Sequence, residues 1–571
     1  MTIIHNSIWR INVDSRLGSI EPVSEAYNKL GGRSLIPRIL LDEGVAGCDP
    51  MGPINKLIWS VGLLVGHKVS SCDRISLGGK SPLTGGVKES NAGGSTGLLL
   101  SHLGIRALVL EGGSNIDEWF TIHISVDGVK FESADDLVGL GVYESSEKLI
   151  ERYGKKVGIT LIGPAGEMGM YSAGVQNLDK DGVASRICAR GGLGAVMGSK
   201  KIKAIVIDAE NGEKPPLHDP QLFKAARKYY TEELIAHPQT KNYTDYGTAA
   251  MAAICNGFGA LPTRNFSTGQ FEHVDDIGGE KMRDLLLERG GASDTSHACM
   301  AGCIIKCSNC FGDVNGDLVV SPVEFETIGL VGSNLGIDNL DDIARLNWEI
   351  NDLGMDTIEV GAALGVAAEG GLMDFGDADM AMKLLHEIRT GTDLGKVLGN
   401  GVVSTGNHLE VKRVAAVKGQ AMSAYDPRAI KGNGVTYATS PQGADHTCGN
   451  CIRAEIDHLS PEGQVEVSRD TQIKMAGYDT LGACLFGGFG FASSPGSLRD
   501  MVRGRYGWEV DDDILMDLGK ETIKLEIEFN NAAGFGPEDN RLPDWMLTEK
   551  LPPFNSVFDV PNEELDNIFN W

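Results

Sequence analysis

Residues Glu210-Asn-Gly-Glu-Lys-Pro-Pro216 divide this sequence into two kinds of chain. The stretch is polar and closes on a Pro-Pro pair, which removes two backbone donors and stops regular structure. Before it, apolar residues fall in short or alternating runs, at 58–65, 107–111, 120–126, 158–162 and 203–208, parted by Gly and Asp. Such runs bounded by turn residues predict strands. After it, residues 221–235, 341–353, 357–369 and 378–390 set apolar side chains three and four apart, which predicts helices. A weaker boundary near 413–419 precedes a Gly-rich and then helical last third. The fold class is therefore read as α+β. It comprises a β-rich domain over 1–210, a helical domain over 211–415 and a second helical domain over 416–571. No internal repeat is evident.

Composition narrows the functions. The chain has 571 residues, more than one hydrophobic core organises, with 42% hydrophobic and 23% charged residues. Its 75 glycines are about twice the usual share and cluster in apolar settings such as Gly191-Gly192-Leu193-Gly194 and Gly487-Gly488-Phe489-Gly490. Glycine there lets backbone approach something bulky, either packed chain or a large cofactor. A net charge of −27 excludes a nucleic-acid partner, whose phosphates demand a basic footprint. Residues 1–10 show no basic segment followed by an apolar run, and no stretch is long and apolar enough for a membrane span. The expected location is cytoplasmic. In a reducing compartment, eleven cysteines that cluster mean metal rather than disulfide.

The cluster is Cys299-Met-Ala-Gly-Cys-Ile-Ile-Lys-Cys-Ser-Asn-Cys310. Four soft thiolates so close can fold around one iron–sulfur or zinc centre; buried unliganded cysteines are the plain alternative. Three ligand sets compete. Cys299, Cys303 and Cys307 plus one distant cysteine would hold a 4Fe–4S cluster. Cys303, Cys307 and Cys310 have radical-SAM spacing, although that motif usually comes early and here nearly 300 residues precede it. All four together would suit structural zinc, without its usual two-pair spacing. Cys448-Gly-Asn-Cys451 also has redox or metal spacing, but alone reads as pocket lining or a structural feature.

Four separated segments, in order and spanning the chain, carry a resemblance. They are Arg74-Ile-Ser-Leu-Gly-Gly-Lys-Ser-Pro-Leu-Thr-Gly85 with Glu89-Ser-Asn-Ala-Gly-Gly94; Arg186-Ile-Cys-Ala-Arg-Gly-Gly-Leu-Gly-Ala-Val-Met-Gly-Ser-Lys200; the cysteine cluster with Pro322-Val-Glu-Phe-Glu-Thr327 and Gly354-Met-Asp-Thr357; and Tyr437-Ala-Thr-Ser-Pro-Gln-Gly-Ala-Asp-His446 with Asp479-Thr-Leu-Gly-Ala-Cys-Leu485. Together they resemble the aldehyde ferredoxin oxidoreductase family. The resemblance implies a β-rich base domain carrying a tungsten or molybdenum bis-pyranopterin, whose phosphates magnesium bridges, under two helical domains. It also implies one 4Fe–4S cluster on Cys299, Cys303, Cys307 and Cys484, with Cys310 left over as rival to Cys484.

Terminal phosphates need guanidinium donors and exposed amides, which Arg74, Asn91, Gly93, Arg186 and Arg190 offer, with Ile187 and Ala189 alongside. Pterin edges need planar donor–acceptor groups. The family's two Asp-x-x-Gly-Leu-type motifs correspond to Asp479 through Leu485 and, with a departure at its first position, to Asn351-Asp-Leu-Gly-Met-Asp356; Met355 and Asp356 match better than Asn351. Gln442 and Gly443 belong to the same cofactor-binding set. Glu326 and His446 are the implied catalytic pair. Aldehyde oxidation adds an oxygen from water, so a base must take a proton, and a desolvated glutamate suits that task. Phe325 stands where relatives often show Tyr.

The function so implied is oxidation of an aldehyde to its carboxylic acid, electrons passing to ferredoxin or to a dedicated electron-transfer subunit. The chain is expected as a homodimer or within a redox complex. A same-fold reductase of an activated acid or aromatic acyl thioester is the alternative within the family, and a radical-SAM enzyme or zinc-stabilised binding protein the alternatives outside it.

Overall fold

The computed structural model describes residues 3–113 and 117–571. The first two residues of the 1–10 segment thus lie outside the described residues. Among the described residues, twelve strands form the N-terminal part: β1 (Ser7–Asn12), β2 (Leu17–Pro22), β3 (Leu57–Val61), β4 (Ile75–Lys80), β5 (Val87–Ala92) and β6 (Ile105–Glu111), then β7 (Phe120–Ser125), β8 (Gly128–Ser133), β9 (Gly158–Leu161), β10 (Val175–Leu178), β11 (Ala184–Cys188) and β12 (Ile202–Ile207). All five sequence runs become strands at or near their expected positions. The first is cut short at Val61, where the chain leaves the sheet.

The strands make two six-stranded sheets, ordered β2-β1-β6-β3-β4-β5 and β11-β10-β9-β12-β7-β8. Read from its other edge, the second order repeats the first. Each sheet has one parallel pair, β1 with β6 and β7 with β12, and is otherwise antiparallel. The expectation of no internal repeat is therefore corrected: the base domain is one topology used twice. Side chains had hidden it. Placing Ala92 on Ala189 also puts Gly94 on Gly191, Gly97 on Gly194, Ile105 on Ile202, Ala107 on Ala204 and Val109 on Val206, without a gap.

Strand period explains how the sheets stack, since alternate side chains leave opposite faces. Trp9, Ile11, Leu57, Trp59, Leu108 and Leu110 of the first sheet share one core with Ile122, Ile124, Ile205 and Ile207 of the second. The indole of Trp59 crosses the interface to Thr160 Oγ1 at 3.3 Å. The interleaved Ile8, Ile58, Ala107 and Val109 face outward to Leu35, Ile36, Ile39 and Leu40 of helix Gly32–Asp42. On the far side, Ile159, Leu161, Ala204 and Val206 meet Val142 and Leu149 of helix Val142–Tyr153. The layers run helix, sheet, sheet, helix.

The helical remainder contains Pro220–Ala236, Leu340–Asp352, Thr357–Glu369 and Ala378–Thr390, as the spacing predicts. Carboxylate and amide caps start them: Asp219, Asn339, Asp356 and Asp377 each accept from an amide of the first turn. The position near 415 lies inside one continuous core, where Leu330 and Val360 pack with Val417, Tyr437 and Phe558. A second core joins Phe223, Tyr230 and Tyr243 to Met475, Tyr478, Leu498 and Met501, so early and late helices pack together.

Each helical part grips one half of the base in the same way. Beyond β3, Gly62 lies so close to the turn after helix Gln464–Leu481 that an added Cβ would stand 2.2 Å from Gly482 N. Leu63 N donates to Thr480 O at 3.1 Å and Arg74 N to Gly482 O at 3.1 Å. Beyond β9, Gly163 meets the turn after helix Leu340–Asp352, its added Cβ falling 2.3 Å from Leu353 O. Ala165 N donates to Leu353 O at 3.2 Å and Gly174 N to Gly354 O at 2.9 Å. Both turn glycines sit at positive φ, 74° at Gly354 and 76° at Gly482.

A methyl group at Gly62 meets backbone that cannot yield. Gly62→Ala should therefore lower stability by about 1–3 kcal/mol, an overpacking cost, visible as a depressed thermal unfolding midpoint. Gly47→Ala, which adds its methyl to open space, should leave the midpoint unchanged.

Candidate active site and cofactor cavity

Strands β5 and β11, equivalent in the two halves, run into the middle of the molecule, and Arg190 N donates to Ser90 Oγ there at 3.3 Å. Over them lies a cavity of about 450 Å³. Its walls come from both sheets, from both helical motifs and from the cysteine loop. Arg74, Asn91, Gly93, Arg186, Ile187, Ala189, Arg190, Asn351, Asp356, Asp479 and Leu485 line it, as do Glu326, His446, Cys299, Cys307 and Cys484. Of the residues singled out from sequence, Met355, Gln442, Gly443 and Cys303 stand just outside the lining. Met355 is fully buried behind it, paired with Ala173. Gln442 accepts from Glu89 N at 2.6 Å and donates to Glu526 Oε1 at 2.6 Å.

The four cysteines converge from two places in the chain. The Cys299 thiol is hydrogen-bonded to Cys303, which raises the pKa of the first and lowers that of the second. Cys303 Sγ lies 3.6 Å from Ser71 Oγ, and Ser71 O accepts from Cys484 N at 2.6 Å. Burial raises the Cys484 pKa, Arg74 opposes that, and Cys299 is near enough to raise it further. Burial likewise raises Cys307, which also feels Cys299 and Cys484. Gly93 makes room for the group: an added Cβ would stand 2.9 Å from Cys299 Sγ. Cys310 is turned elsewhere, toward Ser321 Oγ at 3.7 Å and beside His297. Cys448 and Cys451 are free and buried, outside the lining, and burial lifts their thiols to about 12 and about 11.

Glu326 and His446 face each other. His446 Nε2 is 3.2 Å from Glu326 Oε1, and its Nδ1 is 2.7 Å from Ser423 Oγ. Ala424 N donates to Glu326 Oε2 at 2.8 Å, leaving Oε1 beside the imidazole with no hydrogen bond of its own. Burial raises the Glu326 pKa, and the nearby His446 partly offsets this. Phe325 and Tyr425 close the apolar side, their rings 5.3 Å apart.

The arginines differ in what they have free. Arg186 reaches Ser308 Oγ at 2.9 Å through Nη1, while its Nε and Nη2 are buried without partners. Arg74 is bound to the Asn91 carbonyl at 3.0 Å, and Asn91 in turn to Asp479 at 3.1 Å. Arg190 is committed to protein: Nε to Asp356 Oδ2 at 3.2 Å, Nη1 to Ala444 O at 2.6 Å and Nη2 to Ala421 O. Asp356 spends its other oxygen capping helix Thr357–Glu369 through Ile358 N at 2.9 Å.

Several charges behind the wall escaped the sequence reading. Arg33, 2% exposed, donates to both oxygens of Glu526 at 2.7 and 2.9 Å and to Asp479 at 3.2 Å. Burial opposes its charge, and Glu526, Cys448 and Asp479 together raise its pKa well above the usual value. Glu89 and Asp479 are both raised by burial, and Glu89 Oε1 has no hydrogen-bond partner. Lys88 donates to Asp445 Oδ2 at 2.6 Å. Burial would raise Asp445, but Lys88 and Arg190 hold it well below the usual carboxylate range. Glu324, Tyr243, Asn450 and Arg453 also line the cavity. Unpartnered donors on Arg186, an unpartnered acceptor on Glu326 and four converging thiols suit a large polar cofactor beside an iron–sulfur cluster.

Comparison with known proteins finds one family over nearly the whole chain. The family model described as aldehyde ferredoxin oxidoreductase, N-terminal domain, matches residues 8–209, and that for domains 2 and 3 matches residues 225–568. A tungsten-containing aldehyde ferredoxin oxidoreductase of Thermococcus kodakarensis is 33% identical, over 95% of this chain and 91% of that protein. Its namesake from Pyrococcus abyssi is 31% identical, over 95% and 92%. A chain of the active-site complex BamBC of benzoyl coenzyme A reductase, solved with 1,5 dienoyl-CoA, shares the fold. Its TM-score is 0.77 at 18% identity, covering 94% of this chain and 90% of that one.

Cys484 lines the cavity with Cys299 and Cys307, whereas Cys310 does not, and variants distinguish the two as fourth ligand. In protein isolated without oxygen, Cys484→Ser should lose most of its iron and its visible cluster absorption. Cys310→Ser should keep both. The reverse pattern, read by iron analysis, would assign the ligand to Cys310.

Proposed function

This chain belongs to the aldehyde ferredoxin oxidoreductase family and is an oxidoreductase, and from that premise we propose that it oxidises an aldehyde to its carboxylic acid. The observation that carries the reading is one cavity bearing both the Glu326–His446 pair and three of the clustered thiols. The overall change is RCHO + H2O → RCOOH + 2 H+ + 2 e−, so the site must handle protons and electrons together. Relatives at 31–33% identity carry the aldehyde activity in their names, whereas the reductase shares only the fold at 18%. The aldehyde reading is therefore preferred to the acyl thioester one.

A tungsten or molybdenum bis-pyranopterin, when bound, supplies a two-electron redox centre. The residues toward it are Arg186 with its two free donors, Arg74, Asn91 and Gly93 for phosphates and their magnesium, and Asn351 and Asp479 for the pterin edges. Arg190 contributes framework rather than a free fork, since its guanidinium is spent on protein acceptors. Cys299, Cys303, Cys307 and Cys484 would hold a 4Fe–4S cluster, which would supply one-electron transfer toward ferredoxin or a dedicated subunit. No helix among the described residues is long and apolar enough to cross a membrane, and the proposed setting is the cytoplasm.

Glu326 is the proposed base. Ala424 N and the buried wall hold its carboxylate, and Oε1 takes a proton from water or from the hydrated carbonyl. His446, fixed through Nδ1 by Ser423, orients the substrate oxygen or relays that proton from 3.2 Å. Phe325 brings no hydroxyl to this step.

Glu326→Gln keeps the shape and removes the base, so kcat for aldehyde oxidation should fall by about a hundredfold or more at unchanged metal and iron content. The active form is the carboxylate. Because burial raises its pKa, the wild-type rate should fall as pH drops through a value above that of an ordinary glutamate, and that acid limb should vanish in the variant. A variant with full metal and near wild-type turnover would make Glu326 structural.

A further inference from the structure

On either side of Cys303 the cysteine loop exposes Gly302 and Lys306, and the surface there is basic. Cys303 is 9% exposed. Residues around it come from three segments: the loop itself, the turn at 66–71 and helix Pro220–Ala236. Ile304 N donates to Ser70 Oγ at 3.0 Å, Tyr230 OH to Ser70 O at 3.0 Å and Arg227 Nη1 to His67 O at 3.0 Å. An added Cβ on Gly302, next to Cys303, would lie 3.5 Å from Lys68 Cβ. Lys306 sits between Cys303 and Cys307 in the chain, and Lys224 one helical turn before Arg227. Lys68, Lys224, Arg227 and Lys306 are all exposed.

Their charge runs against the rest of the molecule, which carries −27 overall. The neighbouring Lys228 and Lys241 are paired with Glu232 and Asp245. Among the described residues, Lys68, Lys224, Arg227 and Lys306 have no carboxylate in an ion pair. Four uncompensated cations around one buried thiol on an acidic protein make a steep local field, of the kind that steers an oppositely charged partner into one orientation.

We infer that Lys68, Lys224, Arg227 and Lys306 form the docking surface for a small acidic one-electron carrier protein, seated over Cys303. The inference rests on the cluster reading given above and adds the place and chemistry of the exit. Each docking event removes one electron from the reduced cluster and reduces the carrier by one, so two events clear one aldehyde turnover. None of the four cations lines the cavity that holds the Glu326–His446 pair, so the carrier need not enter the substrate cavity.

The probe is an acidic bacterial ferredoxin mixed with the intact holoenzyme at low ionic strength. Carbodiimide cross-linking followed by mass spectrometry should join its carboxylates to Lys68, Lys224 or Lys306; joins confined to another face overturn the inference. In the double variant Lys68→Glu with Lys224→Glu, kcat/KM for ferredoxin should fall by about tenfold or more, with a weaker dependence on salt. Benzyl viologen is a small dication, and its rate should hold or rise in the same variant. Wild-type kcat/KM for ferredoxin with full salt dependence in that variant overturns the inference as well. Cross-linking needs no turnover, so a preparation without iron would refute the cluster reading and still decide the docking one.

Discussion

Two contacts between bare backbones hold this protein in register. Gly62 against Gly482, and Gly163 against the Leu353–Gly354 turn, bring chain to chain at distances where no side chain fits. Each contact is reinforced by amide-to-carbonyl bonds on either side. Through them the ends of two helices in the helical part sit directly on the third strands of the two halves of the base. Asp479, in the last turn of one helix, and Asp356, just beyond the end of the other, are placed by those ends, and both line the central cavity. A looser joint, cushioned by side chains, would let the helical part slide over the sheets, and a site assembled from both would lose its geometry.

Around these contacts the molecule buries an unusual amount of charge. Arg33 is shared between Glu526 and Asp479, Lys88 is paired with Asp445, and Arg190 ties Asp356 to the carbonyls of Ala421 and Ala444. Buried pairs of this sort contribute little net stability, because desolvation cancels most of the attraction, but removing one partner strands the other at a cost of about 3–5 kcal/mol. Their evident work is placement. Asn91 and Asp479 are held to each other, and Glu89 and Gln442 behind them, by a chain of hydrogen bonds that ends on Arg33 and Glu526. The two halves are not equivalent in this respect. Arg74 in one corresponds to Gly174 in the other, since both donate to a motif glycine carbonyl.

Much of this was legible in the residues, and the limits have physical reasons. Strand and helix positions followed from periods of two and of three to four because each element has one face on a core. The cysteine loop and Glu326 were visible because short motifs carry them, and the cavity does bring them together. Arg33 and Glu526 were not, since a pair that spans nearly the whole chain leaves no local spacing to read. The one available signal was a charged residue in the first turn of helix Gly32–Asp42, just before its apolar run. The repeat escaped for another reason. Strand cores preserve only apolar character and the occasional glycine, and the matching positions around Ala92 and Ala189 emerge only once the two sheet orders are laid side by side. The boundary near 415 marked a change in composition, while packing ignored it and ran one core through both sides.

The Arg33–Glu526 pair also bears on how the protein is made. These residues are 493 positions apart. Helix Gly32–Asp42 covers the first sheet from the start, yet its outer side is completed by Leu525 and Phe529 of a helix near the end of the chain. While a ribosome is still producing the middle of the molecule, the base can pair its strands, because those partners all lie before residue 208. Its Arg33 face stays wet and uncovered until almost the last residues emerge. The nascent protein therefore waits, half-built and with an apolar seam open, for most of its synthesis. A chain stopped short of residue 526 would keep that seam, and cellular quality control has there a simple means of telling unfinished copies from finished ones.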